Sequence, residues 1–164
     1  DALKLIPYVR IQSEKPVFDA KEYPKKTKTE PRIIDINAAD TTALIDLPGI
    51  GNKLARRIIN FRDKLGGFHS VDQVKETYGL PDSTFQKIRS FLQCSAGAIR
   101  RINVNTADMT LLMQHPYIGR NLANAIIKYR EQHGPYQSLE DLQKIMLLTP
   151  EILEKIVHYL VVSE

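Results

Sequence analysis

The stretch Asp46-Leu-Pro-Gly-Ile-Gly-Asn-Lys-Leu-Ala-Arg-Arg-Ile58 sets Pro48, Gly49 and Gly51 around one aliphatic residue, Ile50, and follows them at once with Lys53, Arg56 and Arg57. Leu47-Pro48-Gly49-Ile50 meets the needs of a type II turn: proline fixes φ at about −65° in the second position, and glycine supplies the positive φ that the third demands. Helical spacing flanks it. Ala43, Leu44 and Leu47 share one side of a short helix over 41–47, with Asp40 as its N-cap. Leu54, Ala55, Ile58, Phe61 and Leu65 form the apolar stripe of a second helix over 52–65, which stops at Gly66-Gly67. The turn therefore joins two helices. Ile50 points back between them as a wedge, and Gly51, lacking a side chain, lets an outside group approach the backbone closely.

The first N–H groups of the second helix have no partner within it, and the helix dipole adds about half a positive charge there. Such an end is an anion site. Lys53 falls in its first turn and, with Arg56 or Arg57, Asn60 and Lys64, recurs at i, i+3/i+4, i+7 and i+11, opposite the apolar stripe. One face packs and the other is basic. That suits a phosphate of a nucleic-acid backbone, which asks for charge and N–H donors but no base reading. The competing reading keeps the turn as a turn and the charges as a solvated surface.

Sliding the chain on itself by 68 positions aligns Ile36-Asn37-Ala38-Ala39-Asp40 with Val104-Asn105-Thr106-Ala107-Asp108, and the match continues without a gap. Pro48 pairs with Pro116, Ile50 with Ile118, Gly51 with Gly119, Ala55 with Ala123, Arg62 with Arg130 and Ser70 with Ser138. Roughly a third of positions are identical, so duplication explains the pattern. The repeats run over 33–93 and 101–164, joined by the short linker 94–100. Each is expected to hold two helical hairpins around one small core, giving an all-α chain of two tandem units. Ser70 with Gln73 has capping-box spacing and is expected to open a third helix that ends near Tyr78-Gly79. A fourth starts at Asp82 or Ser83, and its counterpart is announced by Thr149 at the cap, Pro150 at the first helical position and Glu151. Residues 1–32 match neither repeat and read as an extended Lys- and Pro-containing segment.

Composition agrees with this class. The 164 residues are 43% hydrophobic and 26% charged, those of a soluble globular protein, while 7% aromatics and no Trp argue for helices over a sandwich or barrel. A net charge of +4 fits a polyanionic partner without requiring one. Cys94, the single cysteine, forms no internal disulfide. No run approaches the roughly 18 apolar residues of a membrane span. Asp1 in place of an initiator Met suggests a chain cut from something longer.

The stretch "NAADTTALIDLPGIGNKLARRIINFRDKLGGFHSVDQV" resembles the tandem helix-hairpin-helix domain of the ComEA-type competence DNA receptors, and "NTADMTLLMQHPYIGRNLANAIIKYREQHGPYQSLEDL" carries the pattern again. Their motif is an Asn-x-Ala lead, a short helix, Leu-Pro-Gly-Ile-Gly, then Ala-x-x-Ile-x-x-(Tyr/Phe)-Arg and a Gly-(Pro/Gly)-Phe turn. The resemblance implies non-sequence-specific binding of duplex DNA through backbone amides of the Gly-x-Gly hairpin. It places the contacts at Gly49, Gly51 and Lys53, with a weaker second set at Gly119 and Arg120; the turn and the basic helix face add Ile50, Arg56 and Arg57 to the expected phosphate site. It implies a binding module and not an enzyme, a location at the cell envelope on the outer side of a bacterial membrane, and no cofactor beyond a K⁺ or Na⁺ ion at the carbonyls of Leu47–Ile50.

The second repeat departs from the motif. His115-Pro116-Tyr117-Ile118 puts Tyr117 where a type II turn wants positive φ, so this hairpin is expected to change turn type and bind phosphate more weakly, with Arg120 compensating in part. The second hairpin of each repeat, Tyr78-Gly79-Leu80-Pro81 and Met146-Leu147-Leu148-Thr149, lacks Gly-x-Gly and reads as structural. Three degenerate hairpins leave a protein-interaction scaffold as one alternative, and the DNA-positioning part of a larger repair or nuclease protein as another. His69, His115, His133 and His158 have no metal-ligand spacing and read as turn and surface residues. Arg62 and Arg130, beside Asp63 and Glu131, read as inter-helix salt-bridge formers ahead of DNA contacts. No catalytic constellation and no small-molecule substrate site is legible.

Overall fold

The computed structural model describes residues 32–95 and 99–163, so the reading of 1–32 as an extended segment lies, but for its last residue, outside the described residues. Each repeat folds around its own core. In the first, β1 (Ile34–Asp35) leads to α1 (Thr41–Ile45), α2 (Asn52–Leu65), a 3₁₀ segment over Val71–Glu76, α3 (Asp82–Ile88) and β2 (Leu92–Gln93). The second repeats this order with β3 (Ile102–Asn103), α4 (Met109–Gln114), α5 (Arg120–His133), a 3₁₀ segment over Leu139–Lys144, α6 (Pro150–Ile156) and β4 (Leu160–Val161).

The helix starts follow the residues that announce them. Asp40 accepts from the Ala43 amide at 2.8 Å, its counterpart Asp108 from Leu111 at 2.7 Å, and Thr149 from Ile152 at 3.3 Å ahead of Pro150. α2 ends on Gly66 with φ 84°. Its buried stripe of Ala55, Ile58 and Leu65 packs with Ile36, Leu44, Ile50, Phe68, Val74, Phe85 and Ile88 in the first core. Val104, Leu112, Ile118, Ile126, Tyr136, Leu142 and Ile156 make the second.

Three local expectations are corrected. The third element of each repeat is 3₁₀, and the capping box forms only in the second, where Ser138 pairs with Asp141. In the first repeat Gln73 Oε1 is drawn elsewhere: it accepts from the His69 amide and the Tyr159 hydroxyl, both at 2.8 Å. The apolar spacing of the fourth helix runs on through Phe91 and Leu92, yet the helix ends at Ile88 and Leu92–Gln93 form a strand. The β1–β2 and β3–β4 pairs are parallel, Ile34 facing Leu92 and Ile102 facing Leu160, and tie the two ends of each repeat together. Finally, Arg62 and Arg130 do not bridge helices by ion pairs. Arg62 Nη1 donates to the carbonyls of Ala39 at 2.7 Å and Ile36 at 3.3 Å, and Arg130 Nη1 to Val104 at 2.7 Å. Arg62 pairs ionically only with its neighbour Asp63, among the described residues. These arginines satisfy carbonyls that the Asn-x-Ala lead would otherwise leave without donors, a structural task that removes them from any outward-facing site.

The two cores meet through aromatic residues, Tyr117 packing against both and Tyr159 crossing from one to the other. Tyr159 belongs by sequence to the second repeat, yet it is fully buried within the first core. Truncating a buried aromatic costs about 3–5 kcal/mol. Tyr159→Ala is therefore expected to lower urea-unfolding stability by about that amount, whereas Phe91→Ala, at the matching and only half-buried position of the first repeat, costs clearly less.

Candidate functional site

The corner at 47–51 adopts the turn its residues dictate. The Ile50 amide donates to the Leu47 carbonyl at 3.2 Å, Gly49 has φ 85°, and the Ile50 side chain is buried between α1 and α2. On its inner side Gly49 faces α3, where an added Cβ would lie 3.1 Å from Thr84 Cγ2. The chain then passes outward. Gly51 caps α2 with extended φ −103° and ψ 175°, and its carbonyl accepts the first helical bond from Ala55 at 3.0 Å. The amides of Gly51, Asn52 and Lys53 donate to no group among the described residues, and all three residues are exposed. Nothing internal calls for glycine at 51: its φ is one that any residue adopts, and an added Cβ would meet nothing within 4 Å. The open space lies on the solvent side, over unpaired N–H groups.

Lys53 and Arg56 project from the exposed face of α2. Arg57 is also exposed but already engaged. Its Nη1 donates to the Tyr78 carbonyl at 3.3 Å, and its guanidinium carbon sits 5.0 Å from the centre of the Tyr78 ring. The site the structure brings together is thus Gly49, Gly51, Asn52, Lys53 and Arg56, with Ile50 as the buried anchor and Arg57 tying α2 to the second hairpin.

In the second repeat the hairpin has changed partners. Ile118 still donates to His115 at 3.0 Å, but no residue other than glycine has positive φ among those described, so Tyr117 does not take the conformation of Gly49. Its side chain reaches the first repeat, where the hydroxyl donates to Glu76 Oε2 at 2.8 Å and accepts from Gln73 Nε2 at 3.1 Å. Lys155 pairs with the other oxygen of Glu76 at 3.1 Å. His115, 2% exposed, lies against the rings of Tyr159 and Tyr117. His69 and His158 stack with ring centres 4.2 Å apart. Of the four histidines read as turn and surface residues, His69, His115 and His158 stand where the repeats meet: His115 is buried there, His69 is half-buried, and His158 remains exposed. Behind this side of the hairpin Gly119 caps α5 in the same open manner as Gly51: Gly119, Arg120 and Asn121 are exposed, their amides are unpaired among the described residues, and an added Cβ at 119 would meet nothing within 4 Å.

The second hairpins keep the corner and lose one donor each to proline. Leu80 donates to Thr77 at 3.1 Å around Gly79, φ 76°, and Leu148 to Ile145 at 2.9 Å. Pro81 caps α3 and Pro150 opens α6, each deleting an N–H, while Asp82 and Glu151 place carboxylates in the first turn. Anions are repelled there. Among the described residues no group of three or more His, Cys, Asp or Glu is placed to hold a metal ion, and no helix is long and apolar enough to cross a membrane.

Two helix-hairpin-helix cores, each with a glycine-opened helix start facing solvent, define a class, and the comparisons agree. The model of the helix-hairpin-helix motif matches residues 30–93 and again 97–161, and the chain belongs to that family. It is similar to ComE operon protein 1 of Bacillus subtilis, 35% identical over 65 residues that cover 40% of this chain and 32% of that protein. It is also similar to endonuclease/exonuclease/phosphatase family domain-containing protein 1, at 28% identity over 151 residues in Xenopus laevis and 26% over 154 in Homo sapiens, covering 79% and 76% of this chain. The chain spans only 27% of the length of these two relatives. No solved structure matches it.

Burial pushes the His115 imidazole down to about 4, the nearby Leu65 carbonyl offsetting it only in part, and Nε2 has no hydrogen-bond partner. His69 is lowered as well, by burial first and then by the His158 charge. A histidine whose folded value lies below its ordinary 6.5 lets the unfolded chain bind the extra proton. Its stabilising share is complete above about 6.5 and is lost as pH falls toward about 4, reaching about 3 kcal/mol at tenfold per 1.4 kcal/mol. Urea unfolding at pH 7 and pH 4.5 is expected to show this acid loss, and His115→Leu, which restores the residue type of Leu47, to remove most of it.

Proposed function

We propose that the chain is a DNA-binding module of the ComEA type, holding duplex DNA through its phosphates and without sequence preference. The exposed, unpaired amides of Gly51–Lys53 carry the reading, because the side chain missing at Gly51 leaves room that nothing inside the molecule needs. A phosphate oxygen resting on those N–H groups meets the positive end of a 14-residue helix, with Lys53 and Arg56 beside it. Gly119 and Arg120 offer a second, weaker grip: Lys53 is matched there by Asn121, and the turn before it is committed to the first repeat through Tyr117. Both grips are non-catalytic. The carbonyls of Pro48, Gly49 and Ile50 accept no hydrogen bond from the described residues, a donor set that fits K⁺ or Na⁺. Such an ion would add positive charge at the corner.

The pathway follows from what the module is attached to. The similarity to ComE operon protein 1 supports a receptor at the bacterial cell envelope. The animal relatives, named for an endonuclease/exonuclease/phosphatase family domain, support a second reading in which the module positions DNA for a catalytic domain elsewhere in a longer protein.

Fluorescence anisotropy with a short labelled duplex checks the grip. Affinity is expected in the non-specific range of roughly 10⁻⁴–10⁻⁶ M, with log K falling against log salt by about 0.9 per phosphate engaged. Gly51→Ala leaves the melting temperature unchanged and weakens binding about tenfold, and Lys53→Glu weakens it further and flattens the salt slope by about one. No binding by the native chain at low salt, or binding indifferent to both changes, would overturn the site.

A further inference from the structure

The two most exposed large apolar side chains among the described residues are Tyr78, 82% exposed, and Met146, 100% exposed. They stand 68 positions apart and so occupy the same place in the two repeats, the first central position of the second hairpin. Turns facing solvent favour Gly, Pro, Asn, Asp and Ser. Two repeats that place a large apolar group at one equivalent tip share a feature that core packing does not explain, since Met146 is fully exposed and the Tyr78 ring meets only the Arg57 guanidinium.

Each tip's hairpin lies beside the glycine-opened helix of its own repeat. Arg57, on the basic face of α2, reaches from one hairpin to the other, donating to the Tyr78 carbonyl and covering its ring. In the second repeat Leu147, the residue after Met146 and itself 56% exposed, lines one open cavity of about 320 Å³ with Gly119 and Arg120. Each repeat thus sets a phosphate-type donor site beside an apolar tip. The tip's own hairpin is poorer at gripping phosphate, having given up one N–H to Pro81 or Pro150 and gained the carboxylate of Asp82 or Glu151.

We propose that Tyr78 and Met146 are apolar probes for the bases of the duplex held by the first hairpins, each wedging against or into a base step while the neighbouring glycine corner holds the backbone. The inference rests on the DNA-binding reading and assigns its missing half, the contact made by the hairpins that are poorer at gripping phosphate. Aromatic, Leu and Met side chains are the types that unstack base steps, and stacking of this kind tolerates any sequence. Charge around the tips is mixed, Asp82 and Glu151 standing against Arg57 and Arg120, and it is the two arginines that favour this occupant: an apolar protein surface would desolvate them, whereas phosphates beside the bases neutralise them.

A duplex carrying 2-aminopurine, whose fluorescence rises on unstacking, tests the proposal with the full chain. Native protein is expected to raise the signal on binding. Tyr78→Ser with Met146→Ser is expected to abolish that rise and to weaken binding about tenfold per tip with the salt slope unchanged, and Met146→Leu to retain both. Thermal unfolding confirms that these exposed changes leave the fold intact. Native binding without a fluorescence rise would overturn the probe role and leave the phosphate grip standing, whereas absence of native binding would overturn both. A double variant that binds and unstacks as the native chain does, or that changes only a sedimentation dimer to a monomer, would place the tips in a protein contact and contradict the proposal.

Discussion

A helix begins with N–H groups that its own backbone cannot pair, and this constraint organises the molecule. At α2 the chain arrives through a tight corner whose inner side is closed by Ile50 and whose outer side is bare at Gly51. Gly49 allows that division. With φ 85° it turns the chain sharply enough for Ile50 to enter the core while the next three amides face water. A side chain at position 51 would find space, so the omission costs conformational entropy on folding without any internal return. The donors are kept free, and the basic face of the same helix lies behind them.

Duplication then gave two corners, and the second was put to another use. Tyr117 stands where Gly49 stands, His115 where Leu47 stands and Tyr159 where Phe91 stands. All three face the first repeat, where Tyr117 and Tyr159 meet the Gln73 side chain from opposite sides, one accepting from its amide nitrogen and one donating to its oxygen. Burial pushes the Tyr159 hydroxyl up to about 12, keeping it a proton donor at any ordinary pH. A hairpin that binds its neighbour holds two helix starts in one fixed relation. The cost is a weaker grip at Gly119 and a buried imidazole that acid destabilises.

Much of this was legible in the residues. The 3.6-residue stripe of Leu54 to Leu65 fixed the extent of α2, and Pro48-Gly49 fixed the turn before it. Tyr117 is incompatible with positive φ, and the turn it occupies does change. What escaped has physical reasons. Parallel two-residue strands leave no period in a sequence, and Ser70 with Gln73 reads as a capping box until Tyr159, 86 residues from Gln73, claims the glutamine. Arg62 and Arg130 sit beside carboxylates in sequence, which suggested ion pairs, whereas their partners are carbonyls 23 or more residues away. The inter-repeat interface did leave a trace, in that the substitutions between aligned positions 47/115, 49/117 and 91/159 all bring in a His or Tyr. The exposed tips Tyr78 and Met146 left one too, as large apolar residues in turns.

The central claim is that the amides at the start of α2 are the grip. Backbone ¹H–¹⁵N spectra of the full chain, titrated with a short duplex at low salt, read those groups one by one. The account predicts the largest shifts at Gly51, Asn52 and Lys53, smaller ones at Gly119–Asn121, and little change at Gln73 or Glu76 in the inter-repeat interface. Shifts that leave Gly51–Lys53 untouched while binding proceeds elsewhere would contradict it.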